Sequence, residues 1–325
     1  MDVLIVKLGA LGDVINTLPL VIALKEQLGA RIYWLVAPLS YPLLAEHEAV
    51  DQTILFDQSK GVASISALLR QIRCHHFDLV LDLQRILKSG LLCIAARGER
   101  KIAFDKRRCK ELSWLFPFER IPASDPHAHM IHQYLEFACY LGIRQAPIEW
   151  RIRVGGHLPD GMFPQFVILN IGATKPANRW TADGFSVLAR MVQQQHHLPC
   201  VLTGGREDAA MAERIQSLAG ENVCNMVGKT SLAELIDLID AAHAVVTCDT
   251  GPMHLAVALG KKVIALFGPS DHRRTGPFHG KVMRAEVDCA PCRRKSCSNP
   301  ACMTAIRPED VFSVLSNHLN RPVQD

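Results

Sequence analysis

Short apolar runs alternate with helical stretches along almost the whole chain, and this alternation limits the fold more than any other feature. In the first half, strand-like runs at 3–6, 32–36, 53–56, 79–83 and 101–104 are separated by helix-like stretches at 13–28, 65–72 and 88–96. Strands joined through helices give a parallel sheet with helices on both faces, a doubly wound α/β arrangement. Pro19 lies inside the first helical stretch and lacks a backbone donor, so a kink or restart is expected there. Residues 129–141 read as a further helix, stopped by Gly142. Between 144 and 165 the pattern dissolves into Pro147, Gly155, Gly156, Pro159, Gly161 and Pro164, a linker-like composition. Strand-like runs then return at 166–170, 200–203, 244–248 and 263–267, alternating with helical stretches at 183–194, 208–218, 232–239 and 253–259. A chain of 325 residues suits about two domains, divided here as 1–155 and 156–325.

Composition excludes more than it identifies. With 49% hydrophobic residues two cores are within reach. No segment approaches the roughly 20 apolar residues of a spanning helix. The chain opens on a strand carrying Asp2 and Lys7 instead of a basic signal peptide, so a cytoplasmic protein is expected. A net charge of +4 is too small to make nucleic acid the main ligand. One local concentration stands out: Arg97, Arg100, Lys101, Lys106, Arg107, Arg108 and Lys110, followed by Trp114, Phe116 and Phe118. Such a patch suits an anionic lipid headgroup or a membrane surface, and it equally suits a solvated loop before a core segment.

The first chemical candidate is a glycine-framed carboxylate, Asp13, in the run Lys7, Leu8, Gly9, Ala10, Leu11, Gly12, Asp13 where the first strand gives way to a helix. In an open α/β sheet, ligands bind in the crevice at the carboxyl ends of the strands. The same position also suits a helix N-cap, whose carboxylate only satisfies backbone amides. A dehydrogenase is disfavoured, because G-x-G-x-x-G is incomplete and the second strand ends in Ala37 and Pro38 without a ribose-binding acid.

The second half is richer. Thr247, Cys248, Asp249, Thr250, Gly251, Pro252, Met253 and His254 form a strand end, a small-residue turn and a helix start, which is an anion cradle of backbone amides. Asp249 would repel phosphate, so a ribose hydroxyl or the orientation of neighbouring donors is its functional role, and an Asx turn its structural one. His254 is either a ligand or a satisfied helical histidine. Two glycine-bearing loops follow other strands: Gly204, Gly205, Arg206 and Glu207, then Gly228, Lys229, Thr230 and Ser231, where Ser231 and Glu234 have capping-box spacing. A basic loop carries Gly172, Ala173, Thr174, Lys175, Asn178, Arg179 and Trp180, in which Lys175 and Arg179 suit a diphosphate. No P-loop motif is present.

Taken in order, Gly12-Asp13-Val14 with Thr17-Leu18-Pro19, Asp82-Leu83-Gln84 with Lys88-Ser89, the Gly172-to-Trp180 loop, Asp249 to Ala256, and Phe267-Gly268-Pro269-Ser270 resemble the glycosyltransferase family 9 heptosyltransferases of lipopolysaccharide core assembly. The resemblance covers nearly the whole chain. It implies a GT-B fold, two Rossmann-like doubly wound domains facing across a cleft, with an acceptor-binding N-terminal domain and a nucleotide-sugar-binding C-terminal one. It allows the C-terminal helix to pack back on the N-terminal domain. The implied reaction is inverting transfer of heptose from ADP-L-glycero-D-manno-heptose to a lipid A-linked core acceptor, with no cofactor in catalysis. Asp13 would be the general base. Thr174, Lys175, Arg179, Glu207, Gly228, Thr230, Asp249, Thr250, Gly251 and His254 would hold the donor, and Gly12, Arg85, Lys88 and Arg107 the acceptor. A different nucleotide-sugar or acceptor on the same fold is the alternative.

Two residues depart from the family pattern. Asn178 stands where relatives usually carry a lysine, and Arg85 where a glycine is common. Of eleven cysteines, Cys289, Cys292, Cys297 and Cys302 cluster with spacing compatible with a structural zinc or with reduced thiols. As a zinc knuckle, that cluster would make a nucleic-acid-binding protein the distant alternative.

Overall fold

The structure, a computed structural model, describes residues 1–320. The chain divides into two compact units, Met1–Arg153 and Val154–Asp325.

The first unit contains β1 (Asp2–Val6), α1 (Leu11–Leu28), β2 (Arg31–Val36), α2 (Tyr41–Ala45), β3 (Gln52–Leu55), α3 (Gly61–Cys74), β4 (His76–Asp82), α4 (Leu87–Ala95), β5 (Arg97–Ala103), β6 (Glu119–Arg120) and α5 (Met130–Tyr140). Its strands are parallel and ordered β3-β2-β1-β4-β5-β6. A central parallel strand is covered on both faces and reads as an unbroken apolar run. Val3, Leu4, Ile5 and Val6 in β1 are accordingly fully buried.

The expected restart at Pro19 is corrected: α1 runs as one helix from Leu11 to Leu28 with Pro19 inside it. Nearly every residue from Leu11 to Leu24 is buried, and α1 packs along α5, so tertiary packing outweighs one missing donor. The helix ends at Gly29, whose φ of 59° is left-handed. Gly142 follows α5 with a φ of 92°.

The second unit holds β7 (Val167–Asn170), α6 (Ala182–His196), β8 (Cys200–Thr203), α7 (Ala209–Ala219), β9 (Val223–Asn225), α8 (Leu232–Ala241), β10 (Ala244–Cys248), α9 (Gly251–Ala258), β11 (Val263–Leu266), α10 (His272–Thr275), β12 (Lys281–Met283), α11 (Ala301–Thr304) and α12 (Pro308–Leu319). The strand order is β12-β11-β10-β7-β8-β9, again all parallel. Numbered within the unit this is 6-5-4-1-2-3, the order of the first unit. The entry segment is tied down by three amides, those of Gly155, Gly156 and His157, which donate to the Asp237 carboxylate at 2.7, 3.1 and 3.0 Å. At the other end α12 lies on α6 and buries Val311, Phe312 and Leu315 in this unit's core. Trp180 joins that core and donates its Nε1–H to the Ile306 carbonyl at 3.1 Å.

Candidate functional site

Because every strand in each sheet is parallel, the loops that follow the strands gather at one carboxyl edge. The side on which successive strands are added switches between β1 and β4 in the first unit and between β7 and β10 in the second. Crevices form at such switch points.

Asp13 occupies the first of these edges. The helix N-cap is Ala10, which makes no side-chain cap, so the N-cap reading of Asp13 is corrected. Asp13 sits in the first turn, and its carboxylate meets Lys7 Nζ at 3.0 Å and the Tyr134 hydroxyl at 3.4 Å. Lys7 is 1% exposed against 36% for the Asp13 side chain. The acid is reachable while its counter-ion is sealed. Burial pulls the Lys7 ammonium down, but the Asp13 charge and Tyr134 outweigh it, and its pKa stands raised. Burial first, then the Asp13 charge, raise the Tyr134 phenol. A fixed cation of this kind favours the ionised carboxylate.

The adjoining loop after β4 is fixed from within. Asp82 accepts from the amides of Gln84 and Arg85 at 3.1 and 3.3 Å, and Gln84 Oε1 accepts from the Leu8 amide at 3.1 Å. Burial raises the Asp82 pKa. Arg85 is buried, has a φ of 68°, and stacks its guanidinium 4.9 Å from the Phe104 ring. Its Nε has no hydrogen-bond partner among the described residues, and its charge acts on Tyr134, beside Asp13. Gly12 is buried in the first turn of α1. Lys88 is exposed at the start of α4 and donates to Gln58 at 2.7 Å. Arg107 is exposed, and its amide donates to Asp105.

The basic stretch is not one solvated loop. Residues Arg97–Ala103 form β5. Arg100 pairs with Glu119, Lys101 donates to the carbonyls of Ile94 and Ala96, and buried Arg108 pairs with Asp105 and Glu136. Lys106 lies 3.9 Å over the Trp114 ring.

In the second unit the predicted donor residues all follow strands at the carboxyl edge of one sheet: Thr174, Lys175 and Arg179 after β7, Glu207 after β8, Gly228 and Thr230 after β9, Asp249 and Thr250 in the turn after β10, and Gly251 and His254 in the first turn of α9. At the switch point Asn170 ties the strands together, its Nδ2 donating to Thr247 and Thr250 at 3.0 and 3.2 Å. Thr250 is the N-cap of α9 without a side-chain cap, and Pro252 lacks an amide hydrogen, so the amides of Gly251 and Met253 are left as first-turn donors. His254 is buried. Lys175 is partly exposed, and no carboxylate pairs with it among the described residues. Ser231 and Glu234 form the anticipated capping box.

Three residues behave in ways the sequence did not convey. Arg179 pairs with Asp208 at 2.8 Å, so its charge is already partly met. Asp208 is 1% exposed, accepts from the Gly205 amide at 2.9 Å, and fills the space beside two glycines. A Cβ on Gly172 or Gly204 would approach its carboxylate to 2.7 or 3.0 Å. Asn178, buried, donates to Asp249 Oδ2 at 3.2 Å and bonds Ser270 at 3.1 Å, a neutral link where a cation was the family norm. Spacing from a strand end would have flagged Asp208, which closes the Gly-Gly turn three residues on.

The zinc expectation is corrected. Among the described residues no group of three or more His, Cys, Asp or Glu side chains could hold a metal ion. Cys289, Cys292 and Cys297 are exposed, whereas Cys302 is buried against Gly268, where a Cβ would meet its Sγ at 2.8 Å. Cys297 donates its thiol to the Asn299 carbonyl. Burial raises the Cys302 pKa, and the other three thiols add to the effect, so the four share a neighbourhood without forming a ligand set. Among the described residues, no helix is long and apolar enough to cross a membrane.

Comparison with known proteins agrees with this geometry. The profile of glycosyltransferase family 9 (heptosyltransferase) matches residues 65–303. The lipopolysaccharide core heptosyltransferase OpsX of Haemophilus influenzae is 26% identical over 287 residues, 85% of this chain and 81% of that one. Among solved structures, a family 9 glycosyltransferase from Veillonella parvula superposes with a TM-score of 0.84 at 18% identity, covering 98% of this chain and 97% of that one. The E. coli heptosyltransferase WaaC, solved with ADP, gives 0.82 at 23% identity, covering 98% and 100%. These structural likenesses show the fold, two Rossmann-like units of the GT-B class.

Proposed function

The chain belongs to glycosyltransferase family 9, and from that premise we propose that it transfers heptose from an ADP-heptose to the inner core of a lipid A-linked lipopolysaccharide acceptor. The names of its relatives support the sugar and the acceptor, and ADP-bound neighbours support the nucleotide. The single observation that carries the chemistry is the pairing of half-open Asp13 with sealed Lys7.

In this reading the first unit binds the acceptor and supplies the base, and the second holds the donor. The acceptor hydroxyl gives its proton to Asp13 as its oxygen bonds the anomeric carbon, and the bond from that carbon to the diphosphate breaks on the opposite face. Lys7 keeps Asp13 ionised, with Tyr134 as a second hydrogen-bond partner. The electron pair leaves with ADP, whose new charge meets the first-turn amides of α9 and Lys175. Arg179, held by Asp208, and Asn178, linked to Asp249, shape that edge, with Thr174, Glu207, Gly228, Thr230, Thr250 and His254 around the nucleotide. Arg85 offers a buried cation to an acidic group of the core, beside Gly12, with Lys88 and Arg107 further out. Contact with an anionic membrane surface would draw on Arg97, Lys106 and Arg107 with Trp114, since Arg100, Lys101 and Arg108 are engaged internally.

Calorimetry with ADP tests the donor half. Lys175→Ala weakens ADP about tenfold, the worth of one charge-assisted hydrogen bond, and Asp249→Ala weakens it at least as much. Unchanged affinity in both variants would remove the nucleotide from this edge.

A further inference from the structure

Helices α3 and α4 pack on the same core cluster and touch each other, and they leave an opening between their outer faces. Between them runs a groove of about 760 Å³, within the size range of pockets that enclose a small ligand. Its walls are Phe56, Ile65, Leu69, Leu91 and Ile94. On α4 the residues Leu87, Leu91 and Ile94, spaced as one helical face, are 46%, 56% and 43% exposed, and Ile65 on α3 is 41% exposed. An uncovered apolar stripe of this kind marks an interaction site.

The charges of the groove are all of one sign. Arg73 and Lys88 line it and no acid does. Its mouth, where Lys88 donates to Gln58, opens at the carboxyl edge of the sheet. Asp13 lies on that same edge: α4 follows β4 directly, and β4 pairs with β1 at Asp82 and Val6. From the mouth the groove follows both helices away from that edge towards Arg73 at the end of α3.

We propose that the α3–α4 groove binds a fatty acyl chain of the lipid-linked acceptor, with the acidic saccharide of the same molecule held at the mouth by Lys88. The inference rests on the proposed transfer to a lipid A-linked core and adds the part of the acceptor that a saccharide site leaves uncovered. Apolar walls match the chain, Lys88 at the mouth matches its anionic headgroup, and the shared edge places the sugar portion on the Asp13 side.

The test uses the full chain and the variants Leu91→Asp and Ile94→Asp, both exposed positions, with thermal unfolding as the folding control. Binding of cis-parinaric acid, a fluorescent long-chain fatty acid, is measured beside ADP release with acylated and fully deacylated acceptor. The expected result is parinarate binding that both variants lose. It is joined by an acylated-acceptor KM about tenfold below the deacylated one, an advantage abolished in the variants with kcat and the deacylated KM unchanged. Parinarate bound equally by the variants, or equal KM for the two acceptors, overturns the proposal. Loss of self-association, or of binding to anionic vesicles, in the variants with acceptor KM unchanged would assign the groove to a second copy or to a bilayer and overturn it too. Turnover of neither acceptor, with parinarate bound by the unmodified chain and lost in the variants, upholds the groove while the heptosyl reading fails.

Discussion

At the scale of single residues, the Lys7–Asp13 pair was only half visible. The glycine-framed acid could be read from the sequence, because two glycines and an Asp at a strand end is a pattern with a chemical reason. Its partner was not legible, since a lysine following an apolar strand normally turns to solvent, whereas here Lys7 is buried with Tyr134 packed over its ammonium. Replacing Lys7 by Met keeps the volume and removes the charge that favours the ionised form of Asp13, the proposed base. The half-exposed Asp13 can take up water, so the fold survives. The expected outcome is a kcat lowered about tenfold, an acid limb of the rate profile moved to higher pH, and ADP affinity unchanged. A merely structural Lys7 would lower stability and leave the pH profile where it was. Asn178 illustrates the opposite case, where a departure from a family pattern was plain in the sequence and its consequence, a neutral bridge between Asp249 and Ser270, needed coordinates.

At the scale of elements, the long central strands and helices were legible because a buried parallel strand is apolar throughout and a helix of three or more turns repeats its pattern. The edge strands β6, β9 and β12, two or three residues each, were not, being too short to show a period. In the basic stretch the strand read at 101–104 starts earlier, at Arg97, and Arg100 and Lys101 find partners that a linear reading cannot supply. Two predictions belong here. Gly228 has a φ of 70° and packs within 3.1 Å of Arg206 Cα when given a Cβ. Gly228→Ala therefore destabilises the chain by about 1–2 kcal/mol, seen in denaturant unfolding, and weakens ADP through the displaced loop. His47 is buried, accepts the Ala49 amide at Nδ1 and meets the Trp150 carbonyl through Nε2, an arrangement that holds the ring neutral. Burial depresses its pKa below the ordinary 6.5, so the unfolded chain binds the proton more readily. Stability is accordingly lost as pH falls below about 6.5. Thermal unfolding between neutral and mildly acid pH measures the slope, which flattens in His47→Gln.

At the scale of the whole molecule, two sheets with one strand order place every proposed functional loop at a carboxyl edge, base on one unit and donor residues on the other. The placement of the loops followed from alternation, because parallel topology leaves them no other place, while the roles of base and donor site came from the family resemblance. The zinc site did not survive, since spacing alone cannot report that one of four thiols turns into the core. The most direct test of the account is acceptor-dependent ADP release from ADP-L-glycero-β-D-manno-heptose with a panel of truncated lipopolysaccharide acceptors, comparing the unmodified chain with Asp13→Asn. The account predicts turnover that falls by about 10²–10⁴-fold in the variant, with ADP affinity and folding retained. Equal turnover by the two proteins would contradict Asp13 as the base, and no turnover by a folded, ADP-binding chain with any acceptor would contradict heptosyl transfer itself.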